Sequence, residues 1–324
     1  MKPKKRNTWL VCVVLLFFTV LLMALCSGVG VVHFDLDSLT ESPIFWRLRL
    51  PRIVLSVLTG AALSVCGASY QSVFRNPLTD PYVLGISSGA SLGAALAILL
   101  GLEAHLWGVG GMALATALLT ILLIFKVASM GNRMHTTTLL LTGVCLTFLI
   151  TAIVSLLMAL HHDKMESIIF WTMGSFASSS WLDVVILLPV VMVGLAVVIY
   201  HSRDLNLLLT GSETAQSLGV EVEKVRRRLL FFTTLMVAFC VSACGVIGFV
   251  GLVVPHCVRL VVGNDNRKVI PYSIFVGAIF LLLCDTAART LIPPNELPVG
   301  SITSLVGAPM FIYLLYKSKR KNEE

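Results

Sequence analysis

Nine stretches of this 324-residue chain contain no Asp, Glu, Lys or Arg: 7–34, 53–74, 81–102, 104–125, 134–162, 184–202, 229–258, 269–284 and 297–316. A helix crosses a bilayer with about 20 mostly apolar residues, each advancing about 1.5 Å. Runs of this length, repeated this often, restrict the chain to a bundle of membrane helices before any motif is considered. Composition points the same way, with 57% hydrophobic and 13% charged residues and a mean hydropathy of +0.91. The 24 basic and 17 acidic side chains cannot cover a water-soluble domain of this size. A soluble enzyme, a disordered chain and a nucleic-acid binder are thereby excluded.

Each of the first six stretches reads as one span. The stretch 229–258 is too long for one. Gly245, Gly248 and Gly251 followed by Pro255 argue for a break. It divides into a helix to about Cys244, a tight turn and a short helix through about Val262. Spans over 271–291, which carries Asp285 and Arg289, and over 300–316 bring the number to ten. The expected fold class is all-α, one polytopic transmembrane domain over 1–324. With a cytoplasmic N-terminus and alternating spans, 19 of the 24 Lys and Arg fall on the cytoplasmic side, among them Lys2, Lys4, Lys5, Arg6, Arg133 and the Lys317–Lys321 tail. That is the asymmetry the positive-inside rule demands, and it places both termini in the cytoplasm. The net charge of +7 belongs to these loops. The apolar run after Arg6 reads as an uncleaved first helix, since it is long for a signal peptide and Leu25 before Cys26 is not small.

Several local features carry functional expectations. Gly85, Gly89 and Gly93 recur every four residues and bare one helix face for close packing. Ser64–Gly67 with Pro77, and Ser242–Gly245 with Pro255, form a faint internal echo. In the polar segment 201–228, Thr210-Gly211-Ser212-Glu213 fits a capping box and Gly219 a helix stop. A short helix from Gly211 to Leu218 follows, and its apolar residues call for a protein partner. Two prolines in Arg75–Pro81 force a turn. Asp285 and Arg289 can pair along their helix. Arg47, Arg49 and Arg52 lie outside, against the charge rule, and could meet an acidic partner surface. His161, His162 and Asp163 form one short cluster without matching ligands, and none of the eight cysteines is spaced as Cys-x-x-Cys, so no metal site is expected. No Gly-Lys dipeptide occurs, so any ATP must be bound by another chain, and no catalytic residue is expected here.

Taken in order, Arg49-Leu50-Pro51-Arg52, Gly60–Leu63, Phe74-Arg75-Asn76-Pro77-Leu78-Thr79-Asp80-Pro81, Leu139–Val144, Trp171–Ser175, Gly245–Gly251 with Val254-Pro255-His256, Glu296–Gly300 and Gly307-Ala308-Pro309 resemble the permease family of ABC importers for iron–siderophores, haem and vitamin B12. The resemblance covers nearly the whole chain. It implies the type II importer fold of ten helices and a homodimer enclosing a central path in the cytoplasmic (inner) membrane. Two ATP-binding cassette subunits would sit below, carrying the ATP and magnesium, and an extracytoplasmic substrate-binding protein would dock outside; this chain itself holds no cofactor. It further implies that Thr210, Gly211, Ser212, Glu213, Ala215, Leu218 and Gly219, within 210–219, contact the ATPase. By the same likeness Asn76, Pro77, Leu78, Thr136 and Thr137 narrow the path on the inside, and Arg49, Arg52 and Arg289 meet the binding protein. Two other readings stay open: an ion-coupled secondary carrier, which needs titratable groups near mid-membrane and finds only Asp285, and a non-transporting scaffold or sensor.

Overall fold

The computed structural model describes residues 8–29, 43–105, 108–128 and 136–323. Among them are thirteen α-helices and no strand. Seven are long and apolar enough to cross a membrane: α1 (Thr8–Gly28), α2 (Leu50–Val73, extended back to Phe45 by one π-turn), α4 (Gly108–Ala128), α5 (Thr136–Leu160), α7 (Trp181–Tyr200), α10 (Val222–Cys244) and α12 (Asn266–Thr290). Three apolar helices are shorter: α3 (Ile86–Leu99), α11 (Val250–Val262) and the Val299–Leu314 part of α13 (Val299–Glu323). Together they are the ten segments read from the sequence. The remaining three, α6 (Met165–Thr172), α8 (Ser202–Leu209) and α9 (Ser212–Ser217), are too short to span. The basic residues Lys2, Lys4, Lys5, Arg6 and Arg133 lie outside the described residues.

The bundle is organised around α2, which is 83% buried and packs against α7, α10, α11 and α12. Lipid offers helices no hydrophobic reason to associate, so contact rests on backbones that approach closely at small residues. Gly60 of α2 faces Gly277 of α12, Gly67 faces Gly251 of α11, and a methyl group at any of the four would strike the opposing backbone. The stripe Gly85, Gly89, Gly93 does what its spacing indicates. Gly89 and Gly93 admit Thr120 and Thr116 of α4, and Gly85 meets Gly143 of α5. At the periphery, α1 buries 2 of its 21 residues and α5 4 of its 25.

The long stretch breaks where glycine predicts it: α10 ends at Cys244, Gly245 turns at φ 70°, and α11 starts after Phe249 at φ 67°. Pro255 lies inside α11 and does not make the break. The irregular backbone is closed by neighbours. Ser175 N–H donates to the Cys244 carbonyl (2.8 Å), Val299 N–H to Gly174 (3.0 Å) and Gly300 N–H to Met173 (3.1 Å). The Tyr82 hydroxyl donates to the Ile247 carbonyl (3.1 Å) and accepts from the Ile247 N–H (3.4 Å). Unhelical backbone away from water persists only when paired in this way. The internal echo does not survive: Gly67 sits in the middle of α2 and Gly245 caps α10. All eight cysteines are free thiols, and Cys244 Sγ donates back to the Cys240 carbonyl (2.9 Å).

Candidate functional site

The expected ATPase-contacting segment is built by two short helices. Leu205 and Leu208, 0% and 2% exposed, wedge α8 against α2 and α12. Thr210 ends α8, its Oγ1 donating to the Leu207 carbonyl (2.8 Å), so the expected capping box is not formed. Gly211 at φ 123° heads α9 instead, because only glycine turns the chain so sharply between two helices. Ser212 Oγ accepts from Arg226 of α10 (3.3 Å). The stop at Gly219 is as expected: Gly219 N–H donates to Gln216 (2.9 Å) and Val220 N–H to Ala215 (3.0 Å), a Schellman closure at φ 86°. Ala215 is buried beneath this turn, whereas Glu213, Gln216, Ser217 and Leu218 face outward, Leu218 at 61% exposure.

The expected path residues lie close by. Asn76 Oδ1 accepts from the Leu78 N–H (2.9 Å), an Asx turn that presents Asn76, Pro77 and Leu78 on the surface. Asp80 then caps the turn Pro81–Leu84 through the Tyr82 N–H (2.8 Å). Burial pushes the Asp80 carboxyl up to about 6, against the pull of that N–H. Thr136 and Thr137, half-buried and exposed, open α5, whose Gly143 backs the end of the same loop. A recess of about 660 Å³ joins Gln71 near the end of α2 and the loop residues Arg75 and Asn76 to Asn206 and Thr210 and to the α11–α12 corner at Arg259.

One polar chain crosses this end, and sequence reasoning missed it. The Asn206 carboxamide of α8 donates from Nδ2 to Asp265 Oδ1 (2.7 Å), and its Oδ1 accepts from the Asn266 N–H (2.7 Å). Asn266 Oδ1 accepts from Arg259 Nη2 (3.0 Å) and Ser72 Oγ (3.2 Å), and Arg259 Nη2 also reaches Ser72 Oγ (3.0 Å). Burial opposes ionisation of Asp265, but hydrogen bonds from Arg267 and Asn206 outweigh it and hold that carboxyl below its ordinary range.

At the opposite end of α2 and α12, Arg52 binds two carboxylates. Its Nε donates to both oxygens of Asp285 (3.0 and 3.1 Å) and Nη2 to Oδ1 (2.8 Å), while Nη1 donates to Glu296 Oε1 and Oε2 (3.0 and 2.8 Å). The expected Asp285–Arg289 pair is thus replaced. Arg52 approaches from α2 with a two-pronged fork, and Arg289 turns to the Cys26 carbonyl of α1. Arg49 Nη1 donates to the neighbouring Ser27 carbonyl (3.1 Å). With 8%, 8% and 5% exposure, Arg49, Arg52 and Arg289 are committed inward in this conformation, and the exposed arginine of this end is Arg47. Among the described residues no three His, Cys, Asp or Glu side chains gather as metal ligands. Gly85-Ile86-Ser87-Ser88-Gly89 spells Gly-x-Ser-x-Gly, but it begins a membrane helix packed on α4 and α5, not a strand-to-helix elbow.

Similarity to known proteins agrees with this architecture. The chain is 44% identical over 276 residues to a cobalamin import system permease of Halobacterium salinarum, covering 85% of this chain and 74% of that one. It is 39% identical to a hemin transport system permease of Yersinia pestis, covering 86% and 84%, and 36% identical to a vitamin B12 import system permease of Salmonella choleraesuis, covering 98% of each. A metal-chelate type ABC transporter solved in an inward-facing conformation superposes with a TM-score of 0.85 at 33% identity, covering 95% of this chain and 99% of its own. The model of the FecCD transport family matches residues 8–317, and this integral membrane chain belongs to that family.

Proposed function

We propose that this chain is the permease subunit of an ATP-driven importer that moves a metal chelate, of the iron–siderophore, haem or cobalamin kind, by alternating access. The carrying observation is α9, a closed helical turn whose Glu213, Gln216 and Leu218 project from the bundle while its buried Ala215 side seats it on α8 and α10, and the α8 leucines root α8 against α2 and α12. Such a knob suits an ATPase that pushes on it. The named relatives carry cobalamin, vitamin B12 and hemin, which makes a large metal-bound macrocycle the natural cargo class. In this reading the α9 end and both termini face the cytoplasm, the membrane is the inner one, and 1–324 forms a single permease domain. Two ATP-binding cassette subunits sit beneath α9, and an extracytoplasmic binding protein docks at the Arg52 end. Arg49, Arg52 and Arg289 there frame the docking face, and Arg47 offers exposed charge.

A second copy completes the path. α5 turns Thr137, Thr138, Thr151 and Ser155 outward, polar groups that favour a water-filled seam between two protomers over lipid. Asn76, Pro77 and Leu78 with Thr136 and Thr137 narrow that seam from the cytoplasmic side. An ion-coupled carrier is disfavoured by Asp285, the acid inside a span, which is fully buried and held by Arg52 and so is not free to cycle a proton.

The test is uptake of cobalamin, hemin and a ferric siderophore by proteoliposomes holding the complete assembly. Uptake of at least one cargo should require ATP, resist an uncoupler, and be abolished by Leu218→Asp together with ATPase association. Uptake that follows an ion gradient without ATP, or Leu218→Asp assemblies that bind ATPase and transport normally, would refute it.

A further inference from the structure

We infer that Asn206 is a positioning residue that clasps the coupling segment to the α12 rod, so that movement of α9 is delivered to the Arg52 end of the molecule. The inference rests on α9 being the ATPase-contacting element. Asn206 uses both halves of its carboxamide on the first residues of α12: it accepts one of the four N–H groups a helix start leaves without an internal partner, and it donates to the carboxylate that caps the same start. A side chain from another helix therefore completes the α12 terminus. Arg259 and Ser72 bind the next side chain, Asn266, so the same corner is shared with α11 and α2.

The other end of the rod makes the clasp consequential. α12 is one helix from Asn266 to Thr290, short of one internal hydrogen bond at Pro271, and from Asn266 to Asp285 it covers about 28 Å at about 1.5 Å per residue. At that far end Asp285 is locked to Arg52, and Arg52 in turn holds Glu296 in the loop that leads to α13. A shift of α8 and α9 that carried α12 along its axis would load the Arg52–Glu296 contact directly. α8 also packs through Leu205, Leu207 and Leu208, apolar contacts that carry no direction of their own.

Hydrogen exchange in the assembled transporter, with its ATPases in proteoliposomes, reads both ends at once, without a cargo. In the unmodified assembly, Mg-ATP with vanadate should change protection in peptides covering 211–220 and 285–298. Asn206→Leu should keep the first change and reduce the second by about fivefold, within the range of couplings carried by single network residues. Leu208→Ala weakens the apolar seat of the same helix without touching the clasp, and should leave both changes in place. A full response at 285–298 in Asn206→Leu, or an equal loss of that response in a folded Leu208→Ala variant, would overturn the inference. An unmodified assembly in which nucleotide leaves 211–220 unchanged would instead overturn the coupling role of α9 on which it rests.

Discussion

Replacing Asp285 by Asn separates the structural role of the charges at the Arg52 end from any role in docking. Asp285 has no exposed surface, and Arg52, 10% exposed at its side chain, aims two of its nitrogens at it. Removing one partner of a buried pair typically costs about 3–5 kcal/mol, because the remaining charge keeps its desolvation penalty and loses its compensation. Glu296 still holds Arg52 Nη1, which puts the expected loss near about 3 kcal/mol. For a large domain this corresponds to a fall in melting temperature of about 6 °C, at about 2 °C per kcal/mol. Changing both partners, Arg52→Met with Asp285→Leu, removes both penalties, and Glu296, 38% exposed, can turn to solvent. That variant should lie within about 1 kcal/mol of the parent. The assay is thermal and chaotrope unfolding of the purified chain in detergent. A loss below about 1 kcal/mol for Asp285→Asn, or a double variant as unstable as the single one, would refute the reasoning. Were a partner to dock at this end, charge reversal at Arg52 would weaken its binding through damage to the frame, whereas Arg47→Glu would test surface charge alone.

Two further outcomes follow from the packing. Gly67→Ala places a methyl group on the Gly251 backbone and should prevent a stable fold or cost more than about 2 kcal/mol, whereas Gly248→Ala, which meets nothing within 4 Å, should be tolerated; comparing detergent-extracted yield and melting temperature decides this. Tyr82→Phe removes the hydroxyl that serves both the carbonyl and the N–H of Ile247, and unfolding in detergent should show a loss of about 1–3 kcal/mol; an unchanged midpoint would mean that water or another group serves that backbone.

The spans were legible in the sequence because absence of charge is a one-dimensional signal. So was the break at Gly245, where a backbone that helices do not adopt needs glycine, and the stop at Gly219 for the same reason. The helix α8 was not legible. Ser202–Leu209 carries Arg203 and Asp204 and reads as loop, and its helicity comes from burying Leu205 and Leu208 against helices far away in the chain. Propensity alone seldom holds eight residues in a helix.

The two charge networks were hidden for a related reason, and they fail differently. Apart from Arg259 and Asn266, seven positions apart across the α11–α12 corner, the Asn206 chain joins residues 59 to 194 positions apart, and its other local trace is Asp265 as the cap of α12. Asp285 was visible as an acid inside an apolar span, which has to have a cationic partner. Local spacing offers Arg289, one turn along, but Arg52, 233 positions away, takes it. The reason lies in geometry. Along one helix a carboxylate and a guanidinium meet side by side, whereas an arginine crossing from a second helix can lay its fork against both oxygens and still extend Nη1 to Glu296. An intramembrane acid therefore names the charge of its partner in the sequence but not its address. The address is set by the glycine contact of α2 with α12 at Gly60 and Gly277, which brings those two helices close enough for Arg52 to reach. Widening that crossing should lengthen the Arg52–Asp285 contact before it disturbs any other feature of that end.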